Sequence, residues 1–121
     1  MNFSDQRSIY MQIADHICES ILTGAMAPGE RIASVREMAV AIEVNPNTVQ
    51  RSYTWLLEKE ILTNKRGIGF FIADDAYLKV KLMKRDKFIH EELPGVFRTM
   101  SLVGFDFDDL KTIFTKHNEQ I

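Results

Sequence analysis

At 121 residues the chain has room for one ordinary domain, or a small domain with an appendage. Hydrophobic residues make up 45% of it, enough for a core, but no apolar run approaches the roughly 18 residues of a membrane helix, and the polar opening at residues 1–7 lacks a signal-peptide core, so a cytoplasmic protein with no membrane partner is expected. The net charge of -2 excludes nucleic-acid binding by bulk charge, and any such role must rest on a local basic patch.

The first expected element is a helix over Ile9–Thr23. Ile9, Ile13, Ile17 and Ile21 recur every four residues, flanked by Tyr10, Ala14 and Leu22, and make an amphipathic stripe. Gly24 is suited to stop the helix, and Ala27-Pro28-Gly29 reads as a turn. Arg31-Ile32-Ala33 has the length of a single rung of strand. Ser34 with Glu37 then forms a capping box that opens a second helix. Val35, Met38, Ala39 and Ile42 lie on its inner face. Asn45 caps a third helix, and Pro46 takes its first position, where a missing N–H costs nothing. That helix runs to about Lys59, with Val49, Tyr53, Leu56 and Leu57 inward. Asn47, Arg51 and Thr54 line its opposite face, with Gln50 at the edge. Leu62–Lys65 and Gly69–Ile72 are β-like and are joined by Arg66-Gly67-Ile68 as a hairpin.

Residues 74–121 read as a separate unit. Leu78, Leu82, Ile89 and Leu93 mark a long helix, which Pro94-Gly95 should kink or interrupt. Phe97, Met100, Leu102 and Val103 continue an apolar surface to Gly104. Asp106 caps a last helix holding Leu110, Ile113 and Phe114, and Asp109 completes the capping spacing. Lys79, Lys81, Lys84, Arg85 and Lys87 form a basic run, balanced by Glu91, Glu92, Asp74 and Asp75 and read as a solvated face.

The expected fold is mainly α with a small β-hairpin. It comprises a winged helix-turn-helix domain over residues 1–73 and a short C-terminal helical dimerisation extension over residues 74–121. Two short helices joined by a tight turn place the second in the DNA major groove, its first residues toward base edges. Here those residues are Asn47, Thr48, Gln50 and Arg51. Asn and Gln can pair bidentately with adenine, and Arg with guanine or phosphate. Ser34 and Arg36, at the cap and first turn of the preceding helix, are expected DNA contacts, and the free N–H groups of that helix start also attract phosphate. Lys65 and Arg66 sit at the hairpin tip, and Gly67 and Gly69 allow close approach to the sugar-phosphate chain. Double-stranded DNA is the expected partner.

These residues resemble a known family. The run Ile32-Ala33-Ser34-Val35-Arg36-Glu37-Met38-Ala39 is similar to the GntR family of bacterial regulators. So are Val44-Asn45-Pro46-Asn47-Thr48-Val49-Gln50-Arg51-Ser52-Tyr53 and Lys65-Arg66-Gly67-Ile68-Gly69-Phe70-Phe71-Ile72. The Asn-Pro-Asn-Thr-Val run and the brief C-terminal extension point to its YtrA-like subfamily. The likeness spans roughly residues 8 to 73 and reaches the tail only in length and helical character. It implies DNA contacts by Arg36 of the Ser34-Val35-Arg36-Glu37 run, by Asn45, Asn47 and Thr48, and by Arg66 and Gly67 at the wing. Gln50 stands where other GntR groups often have Arg, which should alter base preference. Glu43 and Glu60 stand where Gly often ends a helix, a cost of about 1 kcal/mol each if the backbone stays left-handed. Phe70 replaces the usual Thr after the second wing Gly, which bears on how the wing packs or reaches DNA. The resemblance also implies dimers, a pseudo-palindromic operator, repression, and control of the regulator's own operon and neighbouring transporter genes. An effector, if one exists, is not named by these residues.

The tail is too short for a large effector domain. Its apolar residues Tyr77, Leu78, Val80, Leu82, Met83, Phe88, Ile89, Phe97 and Met100 exceed what two isolated helices can bury. A homodimer through Leu78, Leu82, Phe88, Ile89, Phe97 and Met100 is therefore expected, against the alternative that they pack on the first domain. An enzyme is not expected. Asp108-Asp109 and Glu91-Glu92 are adjacent and diverge on a helix, and no catalytic residue, nucleotide loop or cofactor site is read. The single Cys18 allows no internal disulfide, and His16, His90 and His117 are scattered, so no metal site is expected. A winged helix that binds protein instead of DNA is the other alternative, opposed by Arg36, Arg51 and Arg66.

Overall fold

The computed structural model describes residues 8–120. The polar opening read at residues 1–7, and Ile121, lie outside the described residues. The described residues divide into two compact units, the first ending at Leu82 and the second beginning at Met83.

In the first unit the isoleucine stripe makes helix α1, Ile9–Thr23, and Gly24 ends it in the left-handed conformation at φ 85°. Ile13, Ala14, Ile17, Cys18 and Ile21 are buried. Helix α2, Val35–Ile42, begins at Ser34 with both capping-box bonds formed. Helix α3, Pro46–Glu58, begins at Asn45 with Pro46 in its first turn. Val49, Ser52, Tyr53 and Leu56 recur at helical spacing and form the buried face of α3. Leu57, expected inward with them, is only half-buried, as are Val35, Met38 and Ile42 beside the buried Ala39 of α2. α3 packs against both α1 and α2. The Ser52 hydroxyl on that inner face donates to the Tyr10 carbonyl at 2.6 Å and is satisfied.

Strands β1, Leu62–Lys65, and β2, Gly69–Ile72, pair antiparallel with Leu62 opposite Ile72 and Lys65 opposite Gly69. The expected rung before α2 forms as a bridge between Arg31 and Phe71. The Ile32 N–H donates to the Phe70 carbonyl at 2.9 Å, and the Ile72 N–H to Glu30 at 2.8 Å. Glu43 and Glu60, closing α2 and following α3, do keep a left-handed backbone at φ 55° and 59°.

Helix α4, Ala76–Lys87, has Ala76 and Val80 fully buried in the first unit. Val80, expected among the surplus apolar residues of the tail, therefore belongs to this core. Lys79 also departs from the solvated face expected of the basic run. Its ammonium donates to the Glu60 carbonyl at 3.2 Å and pairs with the carboxylates of Glu60 at 3.3 Å and Asp75 at 3.2 Å. Desolvation opposes its charge, but the bonds to Asp75 and Glu60 outweigh it and hold its pKa above the ordinary lysine value.

In the second unit the interruption precedes the proline. Phe88–Glu92 form a π-helical turn, closed by the Leu93 N–H on the Phe88 carbonyl. Helix α5, Leu93–Val103, then carries Pro94 and Gly95 within its first turn. Pro94 cannot donate to the carbonyl four residues back, and its ring crowds that oxygen, so one widened turn absorbs the conflict. Gly104 ends α5 at φ 68°. Asp106 opens helix α6, Phe107–Glu119, with a full capping box to Asp109. From Phe88 to Gln120 no described residue is buried.

Candidate nucleic-acid interface

The start of α2 is fixed by two reciprocal bonds. The Glu37 N–H donates to Ser34 Oγ at 3.1 Å, and the Ser34 N–H donates to Glu37 Oε1 at 3.0 Å. The Ser34 main-chain N–H, then its hydroxyl, hold the Glu37 carboxyl below its ordinary pKa, with Arg31 adding a smaller attraction. Ser34 is half-buried and acts as a cap, while Arg36 in the turn it caps is exposed.

The start of α3 follows the same logic. Asn45 Oδ1 accepts from the Asn47 N–H at 2.8 Å. With Val49 and Tyr53 buried, Asn47 and Gln50 are turned to solvent, and Thr48 is half-buried between the two faces. Gln50 Nε2 donates to Thr54 Oγ1 at 3.3 Å, one turn on. Arg51 is exposed too, but its guanidinium lies 4.1 Å from the Tyr10 ring centre. It is thereby held toward α1.

The hairpin carries Arg66, Gly67 and Ile68 in its loop, closed by the Ile68 N–H on the Lys65 carbonyl at 2.8 Å. Gly67 is exposed and sits at φ 79°, a conformation a side chain would strain although a Cβ there would meet no neighbour. Lys65 Nζ lies 4.2 Å from the Phe71 ring centre. Phe70 meets the Tyr53 ring edge-on, with centroids 5.0 Å apart. The substitution at position 70 therefore adds an aromatic contact between wing and α3. Because residues 30–32 pair with β2, the wing is also fastened to the segment that leads into α2. The exposed starts of α2 and α3 and the hairpin tip thus belong to one hydrogen-bonded unit, bearing Arg36, Asn47, Gln50, Lys65 and Arg66. Arg31, absent from the sequence-based set, joins them: its guanidinium lies against Gly69. Strand alternation from the Arg31-Ile32-Ala33 rung was the signal that could have found it.

The tail residues expected to pair subunits are accessible. Leu78, Leu82, Phe88, Ile89 and Phe97 are between 42% and 56% exposed. Met100 is half-buried and lines a cleft of the second unit with Val96, Val103, Phe105 and Leu110. Leu102, Val103, Phe107, Ile113 and Phe114 are as open or more so. Among the described residues no helix is long and apolar enough to cross a membrane.

Residues 9–72 match the family described as bacterial regulatory proteins, gntR family. The chain is 37% identical over 108 residues to the HTH-type transcriptional regulator YhcF of Bacillus subtilis, covering 89% of this chain and 88% of that one. It is 43% identical over 103 residues to the HTH-type transcriptional repressor YtrA of the same organism, covering 84% and 78%. A crystal structure of a GntR-family transcriptional regulator from Bacteroides thetaiotaomicron superposes with a TM-score of 0.80 at 39% identity, over 93% of this chain and 98% of that one. The chain belongs to the GntR family, on its YtrA-like side, and is a DNA-binding transcription regulator.

Proposed function

We propose that the chain is a homodimeric repressor acting on a pseudo-palindromic operator, with residues 1–73 reading DNA and residues 74–121 pairing the subunits. Asn45, Asn47, Thr48 and Gln50 face base edges in the major groove. Arg36, beside the Ser34 cap, and Arg51 bind phosphate. Lys65, Arg66 and Gly67 reach the neighbouring groove. Leu78, Leu82, Phe88, Ile89, Phe97 and Met100 form the subunit contact.

The observation that carries this reading is the exposed polar start of α3 on a unit that also presents Arg36, Lys65 and Arg66, in a chain of net charge -2. Repression is supported by the likeness to a protein named a repressor, and by the physical fact that an occupied promoter excludes polymerase. Selection of bound duplexes from a random pool tests the whole reading. A two-fold symmetric site with half-sites about 34 Å apart, or a multiple of it, is expected. Recovery of no enriched sequence, or of a single unpaired half-site, overturns it.

A further inference from the structure

The wing carries a cation that neither its turn nor the helix starts account for. Directly paired residues of an antiparallel ladder point to the same side. The pairs Thr63–Phe71, Lys65–Gly69 and Arg31–Phe71 therefore put Arg31, Thr63, Lys65, Gly69 and Phe71 on one face of the wing sheet. The other face holds Leu62 and Ile72, which are buried, and Phe70, which meets Tyr53.

On the outer face Gly69 leaves a gap, and the Arg31 guanidinium fills it. A Cβ at position 69 would stand 2.9 Å from Arg31 Nε, 3.4 Å from Nη2 and 3.6 Å from Cζ. Gly69 also holds φ 142°. The glycine thus serves both the bend of the strand and the seat of the guanidinium. Arg31 itself is exposed, and among the described residues it forms no salt bridge. The acid that feels its charge, Glu37, already gives its carboxylate to the Ser34 N–H. An unpaired planar cation is thus seated between the wing and the first turn of α2.

We infer that Arg31, seated on Gly69, is a phosphate-binding residue of the DNA interface, joining the contacts of the wing to those of α2. This rests on the DNA-reading role proposed above. Phosphate is the target rather than a base because Arg31 lies behind the hairpin tip. The loop of Arg66 and Gly67 is the part able to enter a groove, and the strand behind it meets the sugar-phosphate wall. The guanidinium meets Gly69 with its Nε–Nη2 edge and is otherwise exposed, so the N–H groups of Nη1 remain for a phosphate oxygen.

The test measures affinity against salt, from roughly 50 to 200 mM, for the duplex recovered by selection and for a mixed-sequence duplex of equal length. Each phosphate that the protein no longer neutralises lowers the slope of log affinity against log salt by about 0.9. Arg31→Ala should show that decrease on both duplexes, so its deficit relative to the parent shrinks about three- to fourfold across that range. Arg31→Lys should keep the slope. Gly69→Ala should lower it in the parent and leave it unchanged in Arg31→Ala. Circular dichroism confirms that each variant is folded, and Arg31→Gln replaces Arg31→Ala if the latter is not. The parent slope in Arg31→Ala, alongside a decrease in Arg36→Ala, overturns this inference and leaves the DNA-reading role standing. An equal decrease in Arg31→Lys and Arg31→Ala also overturns it, because charge is then not the cause. A parent that binds neither duplex in a salt-dependent way removes the DNA-reading role itself.

Discussion

The Tyr53 hydroxyl donates to the Ala33 main-chain carbonyl at 2.6 Å, across 20 residues of sequence. This one bond ties α3 to the segment just before α2, on which the wing also pairs. Tyr53→Phe should therefore cost about 1 kcal/mol in a denaturant titration, and should weaken operator binding at every sequence position alike. Burial, with a smaller push from Glu37, raises the phenol to about 12. The folded state thus holds this proton more tightly than the unfolded chain, whose tyrosines ionise near pH 10. The contribution is whole below about pH 10 and drains away as pH climbs toward about 12. Unfolding midpoints followed up that limb should fall less in Tyr53→Phe than in the parent. An equal fall would mean that another group governs alkaline unfolding.

Glu43 and Glu60 hold the left-handed backbone that glycine adopts freely. Glu43 closes α2 with its N–H on the Ala39 and Val40 carbonyls. Its side chain is exposed, so Glu43→Gly should raise stability by about 0.5–1 kcal/mol, the αL strain less the extra chain entropy of glycine. Glu60→Gly should gain less, because it also removes the carboxylate that pairs with Lys79. Chemical denaturation of the two variants side by side decides this. A larger gain at position 60 than at 43 would mean that the Lys79 pair contributes nothing.

What was legible in the sequence is what is decided locally. The Ser34–Glu37 and Asp106–Asp109 boxes, the Asn45-Pro46 start and the three-residue hairpin loop need only neighbours a few positions away. The strain at Glu43 and Glu60 was also readable, because helix ends have known backbone demands. The placement of cations was not. Lys79 meets Glu60 from 19 residues away, Arg51 meets Tyr10 across two helices, and Arg31 finds Gly69 only once the wing is paired. The π-turn ahead of Pro94 escaped for a different reason. Proline demands relief somewhere upstream, but which turn widens depends on how each turn packs.

Arg36 and Gln50 should fail in different ways. Arg36 is exposed in the first turn of α2 and takes part in no described bond that the fold needs. Arg36→Ala should therefore weaken binding to all duplexes and lower the salt slope by about 0.9, with the unfolding midpoint and the oligomeric state unchanged. An unchanged affinity would count against the assigned docking pose. Gln50 is parked on Thr54 at 3.3 Å, a single weak bond that a base edge can replace. Gln50→Ala should relax preference at one position per half-site by about 1–3 kcal/mol. A selected site identical to the parent's would refute a base contact there.

Phe97 lies 52% exposed on α5, in a stretch from Phe88 to Gln120 where no described residue is buried. Apolar side chains left this open seldom persist on an isolated unit, and a second subunit is the covering that a two-fold operator would require. Replacing Phe97 with Glu puts a charge on that surface at little cost to the unpaired chain. Sedimentation equilibrium at micromolar protein should then shift from dimer to monomer. Operator affinity should fall by a factor on the order of 100, because the second half-site no longer binds as a tethered partner. If the tail instead packs on its own first domain, Phe97→Glu lowers the thermal midpoint of a protein that was already monomeric. A variant that stays dimeric and keeps its affinity would place the subunit contact away from α5.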